Sequence, residues 1–245
     1  METKEKKESG VFWLMSDVSL KQDTEIYQYL RLDYLLSLLD SKMYYVKRKH
    51  YFSDKREKDY PNRMKFVVTP VGTPLQPNDN CQKEMTAKTA KFKEFSFLPT
   101  SCWTHYSKEN ILMWDRYTTQ MGVRIKSSID NFVSSFVDNK YYLWCGKMSY
   151  ERHQQTNSFE ESLWIKEPAY YDEREIRFYF SSKFEDISLD DCKSDHIMLK
   201  IKPDYMINEI VLSPHINKTA AKVIQKFIED TYKITTKISD IELNN

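Results

Sequence analysis

The sequence predicts an α+β fold, a mostly antiparallel sheet flanked by helices. Strand-like runs outnumber helical ones, and the regular strand–helix–strand alternation of a parallel sheet is missing. Neither an internal repeat nor a low-complexity linker divides the 245 residues, so one domain is expected.

Taken in order, residues 1–10 are highly charged and read as disordered, and 11–15 form a short apolar run. The expected organisation is therefore a flexible arm over 1–15 and a single domain over 16–245. Residues 26–30 read as a strand. Leu32, Leu35, Leu36 and Leu39 then recur at i, i+3, i+4 and i+7, one face of a helix. A strand is expected at 43–46, a polar connection at 50–60, an apolar element at 65–70 and a proline-bearing loop at 70–80. A Lys-rich surface helix is expected at 83–93. Strands at 95–104 and 122–126 bracket a helix at 109–119, and a Ser-Ser start opens another at 127–136. Strand-like runs follow at 141–150, 163–166, 173–180, 196–201 and 209–212. An amphipathic helix at 220–231 and a strand at 235–241 close the pattern.

Composition narrows the function classes. With 37 basic and 36 acidic residues the net charge is +1, which does not indicate a global polycation for nucleic acid. Four glycines, and no G-x-G-x-x-G or P-loop run, exclude the usual mononucleotide loops. Cys81, Cys102, Cys145 and Cys192 lack C-x-x-C spacing and the histidines form no H-x-x-x-H pair, so no metal centre is expected. The thiols read as those of a reducing cytoplasm. No run approaches 18 apolar residues and the first ten residues are too charged for a secretory signal. A cytoplasmic protein with no membrane partner is the expectation.

Residues 171–180, Tyr-Asp-Glu-Arg-Glu-Ile-Arg-Phe-Tyr-Phe, are the most informative stretch. With period two, Ile176, Phe178 and Phe180 share a core face, while Glu173, Glu175, Arg177 and Tyr179 share the other. Two carboxylates and a guanidinium in a row suit a reactive strand. They equally describe an edge strand with a solvated Glu/Arg ladder.

Several segments stand in a telling order: Ile26-Tyr27-Gln28-Tyr29-Leu30-Arg31, then Tyr51-Phe52-Ser53-Asp54-Lys55-Arg56-Glu57, then Ser101-Cys102-Trp103-Thr104 and Leu112-Met113-Trp114-Asp115-Arg116-Tyr117. Lys166, Tyr171-Asp172-Glu173-Arg174-Glu175-Ile176-Arg177 and Ile207-Asn208-Glu209-Ile210-Val211-Leu212-Ser213-Pro214 complete it. The order resembles a large bacterial family of uncharacterised domains. That family carries a Tyr-x-Tyr start, an Asn-Asp-Pro-x-x-Glu-like loop, a Cys-Phe-Ser strand, a Met-Trp-x-x-Tyr helix and a Glu-x-Glu-Trp-Arg strand. It is in turn remotely similar to ADP-ribosyltransferases. The resemblance spans roughly residues 26–215. It departs at Gln28, where the family often has His, Lys or Arg, at Ser53-Asp54-Lys55 in place of Asn-Asp-Pro, and at Ile176 in place of Trp.

The resemblance implies a split antiparallel sheet and NAD as the substrate, without a metal. It implies Glu175 as the catalytic carboxylate, set against the cationic ribose of the transition state, with Glu173 as its helper. Arg177 would pair with Glu175 or grip pyrophosphate. Tyr27, Gln28, Tyr29 and Arg31 would lie on the opposing strand, with Gln28 on ribose hydroxyls and Arg31 on phosphate. Tyr44 and Tyr45 would stack on nicotinamide, and Asp54, Glu57, Trp103 and Lys166 are further candidates. Against this, Tyr27, Tyr29 and Tyr44 also suit a plain aromatic core, Lys166 a solvated lysine, and Trp114 and Tyr117, three apart on a helix, a buried face. The implied activity is ADP-ribosyl transfer to an intracellular protein or nucleic acid, or NAD hydrolysis, in the manner of a toxin or anti-phage effector with an antitoxin or defence-system partner. Gln28 and the Lys-rich 83–93 stretch also fit a non-catalytic nucleotide- or RNA-binding module with a degenerate NAD site. A structural protein docking through 11–15 is a third expectation.

Overall fold

The computed structural model describes residues 13–15, 20–52, 97–137, 141–150, 163–182 and 194–243. Asp54, Glu57 and the elements expected at 65–70, 70–80 and 83–93 lie outside these residues. The strands are β1 (Trp13–Met15), β2 (Glu25–Arg31), β3 (Met43–Lys47), β4 (Thr100–Thr104), β5 (Gly122–Ser128), β6 (Tyr142–Lys147), β7 (Glu175–Ser181), β8 (His196–Lys200), β9 (Glu209–Leu212) and β10 (Thr236–Ile238). The helices are α1 (Leu32–Ser41), α2 (Ile111–Tyr117), α3 (Ile129–Ser134), α4 (Pro203–Met206) and α5 (Lys218–Tyr232). Among the described residues the main sheet has eight strands in the order β1-β6-β7-β4-β2-β5-β9-β10, and β3 pairs with β8 in a second sheet. Only the outermost pairs, β1 with β6 and β9 with β10, are parallel. The expected α+β class, mostly antiparallel, is the observed one.

The centre of the main sheet is nearly divided. β2 pairs with β5 along its whole length, Glu25 opposite Ser128 to Arg31 opposite Gly122. With β4 on its other side it shares one register position, Tyr27 opposite Thr104. β4 in turn pairs with β7 from Thr100 opposite Tyr179 to Thr104 opposite Glu175. The sheet is thus two ladders joined at a narrow waist.

Period-two burial builds the core beneath it. Ile26, Ile125, Trp103, Ile176, Phe178 and Phe180 meet helix side chains such as Leu35, Leu39 and Phe132 in one cluster. Phe132 is edge-on to Trp103, with ring centroids 5.0 Å apart. On α1 the buried residues are Leu32, Leu35, Leu38 and Leu39, so Leu38 joins the stripe and Leu36 is left partly buried. α1 ends where Lys42 turns left-handed (φ 56) and its N–H bonds Leu38 O. α5 starts on Asn217, whose side chain accepts from Thr219 N at 2.9 Å. At Gly122 a Cβ would collide with the Thr118 side chain, so only glycine lets β5 start this close to the end of α2.

Some boundaries move. α2 is shorter than 109–119, and Leu112 on it is exposed. The 163–166 run makes a single bridge, Ser149 with Ile165, rather than a strand. Most consequentially, Glu173 is not on β7. Residues Pro168–Glu173 form a 3₁₀ turn that stops at Arg174, whose φ of 43 is left-handed. The ladder begins only at Glu175.

Candidate active site

The waist between β2 and β4 opens into a cavity of about 790 Å³, within the ~300–1,000 Å³ range of small-molecule sites. β2 supplies Tyr27, Gln28 and Tyr29, β3 supplies Tyr44, Tyr45 and Lys47, and β4 supplies its five residues. The far wall holds Arg116, Tyr117, Lys166, Glu173, Glu175 and Arg177. Of the residues singled out in the sequence, Glu173, Glu175, Tyr27, Gln28, Tyr29, Tyr45, Trp103 and Arg177 are brought to this one hollow.

Glu175 and Glu173 are buried, neither forming a solvated ladder. Glu175 accepts from Arg177 Nε at 2.6 Å and Nη2 at 3.0 Å, a bidentate grip, and from Lys166 Nζ at 2.9 Å. Its own backbone N–H donates to Tyr150 OH at 2.8 Å. Burial alone raises the Glu175 carboxyl pKa, but the charges of Arg177 and Lys166 outweigh it and hold the group well below the usual carboxylate range. It is therefore ionised at neutral pH. Glu173 accepts from Lys166 Nζ and Arg116 Nη1, each at 2.6 Å, and from Tyr117 OH at 2.7 Å. Burial keeps the Tyr117 and Tyr150 hydroxyls protonated by raising their pKa. Lys166 thus bridges two carboxylates that come from different elements, a turn and a strand. Among the described residues three cations, Arg116, Lys166 and Arg177, thus meet the two carboxylates on this wall.

The opposite wall is built mainly from uncharged polar and aromatic side chains, with Lys47 as its charged member. Gln28 Nε2 donates to Cys102 O at 3.0 Å, crossing the waist where ladder bonds are missing. Tyr44 OH donates to Gln28 Oε1 at 3.1 Å and lies 2.6 Å from Ser101 Oγ, and Ser101 Oγ accepts from Trp103 Nε1 at 2.8 Å. The Tyr27 hydroxyl donates to Glu25 Oε2 at 2.6 Å, and the Arg124 guanidinium lies 3.9 Å from its ring centroid. Tyr29 OH accepts from Asn110 N at 3.1 Å. Tyr45 is half-exposed and stacked on His196, centroids 4.5 Å apart.

Arg31 departs from its expected place. It is absent from the cavity lining and chelates Asp33 instead, Nε–Oδ1 2.9 Å and Nη2–Oδ2 2.7 Å, because β2 ends there and α1 turns the chain away. Tyr117 is corrected in the other sense. Expected in the core with Trp114, it lines the cavity while Trp114 alone is fully buried. Lys166 is buried rather than solvated. Arg116, Tyr150 and Ser101 carried no signal as site residues, since their roles depend on contacts across 25 to 57 positions of the chain, such as Arg116 to Glu173 over 57 and Tyr150 to Glu175 over 25. Among the described residues no group of three His, Cys, Asp or Glu is arranged to hold a metal, and no helix is long and apolar enough to cross a membrane.

No family model and no curated protein matches the chain. Solved structures similar to it include Thermus sp. 2.9 DarT in complex with ADP-ribosylated ssDNA, with a TM-score of 0.39 and 11% identity over 89% of this chain and 95% of that chain. Thermus sp. 2.9 DarT in complex with NAD+ gives 0.40 and 11% over 90% and 98%, and the carba-NAD+ complex 0.39 and 10% over 89% and 96%. These are distant likenesses, so the cavity itself must carry any functional reading.

Proposed function

We propose that the chain is an NAD-consuming ADP-ribosyltransferase that modifies an intracellular macromolecule. One observation carries this reading: an ionised carboxylate, Glu175, and the amide of Gln28, 147 positions earlier, wall the same sheet-splitting cavity. In the proposed step the bond from nicotinamide nitrogen to ribose C1′ breaks, and its electron pair leaves with neutral nicotinamide. A nucleophilic oxygen or nitrogen of the acceptor forms the new bond to C1′ and its proton is released. Positive charge develops on the ribose between these events, and the fixed charge of Glu175 stabilises it. Glu173 orients the incoming nucleophile. Arg116, at the exposed edge of this wall, suits the pyrophosphate.

A second reading has its own observation. Every oxygen of both carboxylates already meets a cation, an arrangement a purely structural network in a non-catalytic nucleotide-binding module also needs. Incubation with NAD labelled in its adenine separates these cases. A transferase carries label into macromolecular acceptor in a cell extract, and a glycohydrolase leaves it in free ADP-ribose. Label recovered wholly as intact NAD, though bound, would establish the non-catalytic module and contradict the proposal.

A further inference from the structure

The wall built from β2, β3 and β4 holds a directional chain of hydrogen bonds. Cys102 O is a backbone carbonyl and only accepts, so the Gln28 atom 3.0 Å away is the amide nitrogen. The other end of that amide, Oε1, only accepts as well, so it takes the proton of Tyr44. Tyr44 has one proton, and the 2.6 Å contact with Ser101 must therefore be donated by Ser101. Ser101 Oγ in turn receives the indole N–H of Trp103 at 2.8 Å. The order of donation is Trp103, Ser101, Tyr44, Gln28 and the Cys102 carbonyl. Burial raises the Tyr44 pKa to about 12, so the chain keeps its protons at physiological pH.

We propose that Tyr44 and Ser101 are positioning residues that lock the Gln28 amide in one orientation, presenting its second N–H to the cavity as a fixed, uncharged donor for a sugar hydroxyl or other acceptor oxygen. This rests on the reading of the cavity as an NAD site. A glutamine left free would swap its donor and acceptor ends by rotation about its last bond. Held at both ends, it recognises an acceptor with direction and without charge. That is a different demand from the wall of ion pairs opposite, and it orients a dinucleotide across the waist.

Tyr44→Phe removes one hydroxyl from a buried ring and leaves Oε1 of Gln28 without its donor. Its KM for NAD should rise roughly three- to tenfold with kcat changed less than about twofold, since one neutral hydrogen bond in ground-state binding is lost. Gln28→Ala should show a similar rise, and the double variant no more than Gln28→Ala alone. Ser101→Ala gives the same direction if Tyr44→Phe proves unstable. Unchanged KM in Tyr44→Phe, or losses that multiply in the double variant, would overturn the assignment. Side-chain amide NMR of Gln28 in the ligand-free protein needs no activity. Two widely separated, slowly exchanging protons that collapse in Tyr44→Phe support the lock, and a solvent-like amide in the wild type refutes it. A wild type that neither binds nor consumes NAD defeats the proposed function, and the amide spectrum then decides the lock alone.

Discussion

Glu175→Gln is expected to lower nicotinamide release from NAD by about 10²–10³-fold, the usual cost of removing one preorganised charge-stabilising group. The side chains are nearly isosteric, so the difference is charge. Because the carboxylate opposes positive charge that exists only during bond cleavage, kcat and kcat/KM should fall together while NAD affinity stays close to wild type. The substitution also leaves Arg177 and Lys166 facing an amide where both now meet a carboxylate. Stability falls as a result, and the assay belongs below the variant's unfolding transition. A loss confined to KM would assign Glu175 to ground-state binding.

Lys166→Met should cost about 3–5 kcal/mol in urea unfolding at neutral pH, the range for breaking a buried ion pair by removing one partner. Its ammonium sits 2.6 Å from Glu173 Oε2 and 2.9 Å from Glu175 Oε2, so its loss leaves two buried carboxylates with no bridge. The pH dependence has a definite sign. The folded-state pKa of Glu175 is depressed below its ordinary 4.5, so its ionisation adds stability that is full above about pH 4.5 and fades as pH falls towards about 2. Methionine removes one of the two cations responsible, which moves that pKa back up and shrinks the contribution. The deficit relative to wild type should therefore be largest at pH 7 and narrower at pH 3. An equal deficit at both would mean that packing, not charge, holds Lys166 in place.

Local pattern reached the elements and stopped at their junctions. The leucine spacing after Arg31 marks α1, and the alternation of Ile176, Phe178 and Phe180 marks the core face of β7, because each is set by neighbours along the chain. The start of β7 was not legible. Glu173 fits the same alternation, and only the left-handed turn at Arg174 removes it from the strand. Even so, both acids reach one cavity, since the turn folds Glu173 back towards Lys166. Gln28 was visible as a departure from a motif. Its partners were not, because Tyr44 and Ser101 belong to other strands and nothing in their local sequence marks them as polar anchors. Arg31 shows the converse, a residue that sequence order places in the site and a nearby aspartate draws elsewhere.

The most direct test of the account is the amount of nicotinamide that wild-type protein frees from NAD as a function of time. Release should continue past one equivalent per protein when a bacterial extract supplies acceptors. Release no greater than the protein-free blank, under conditions in which the fold is intact, would contradict it.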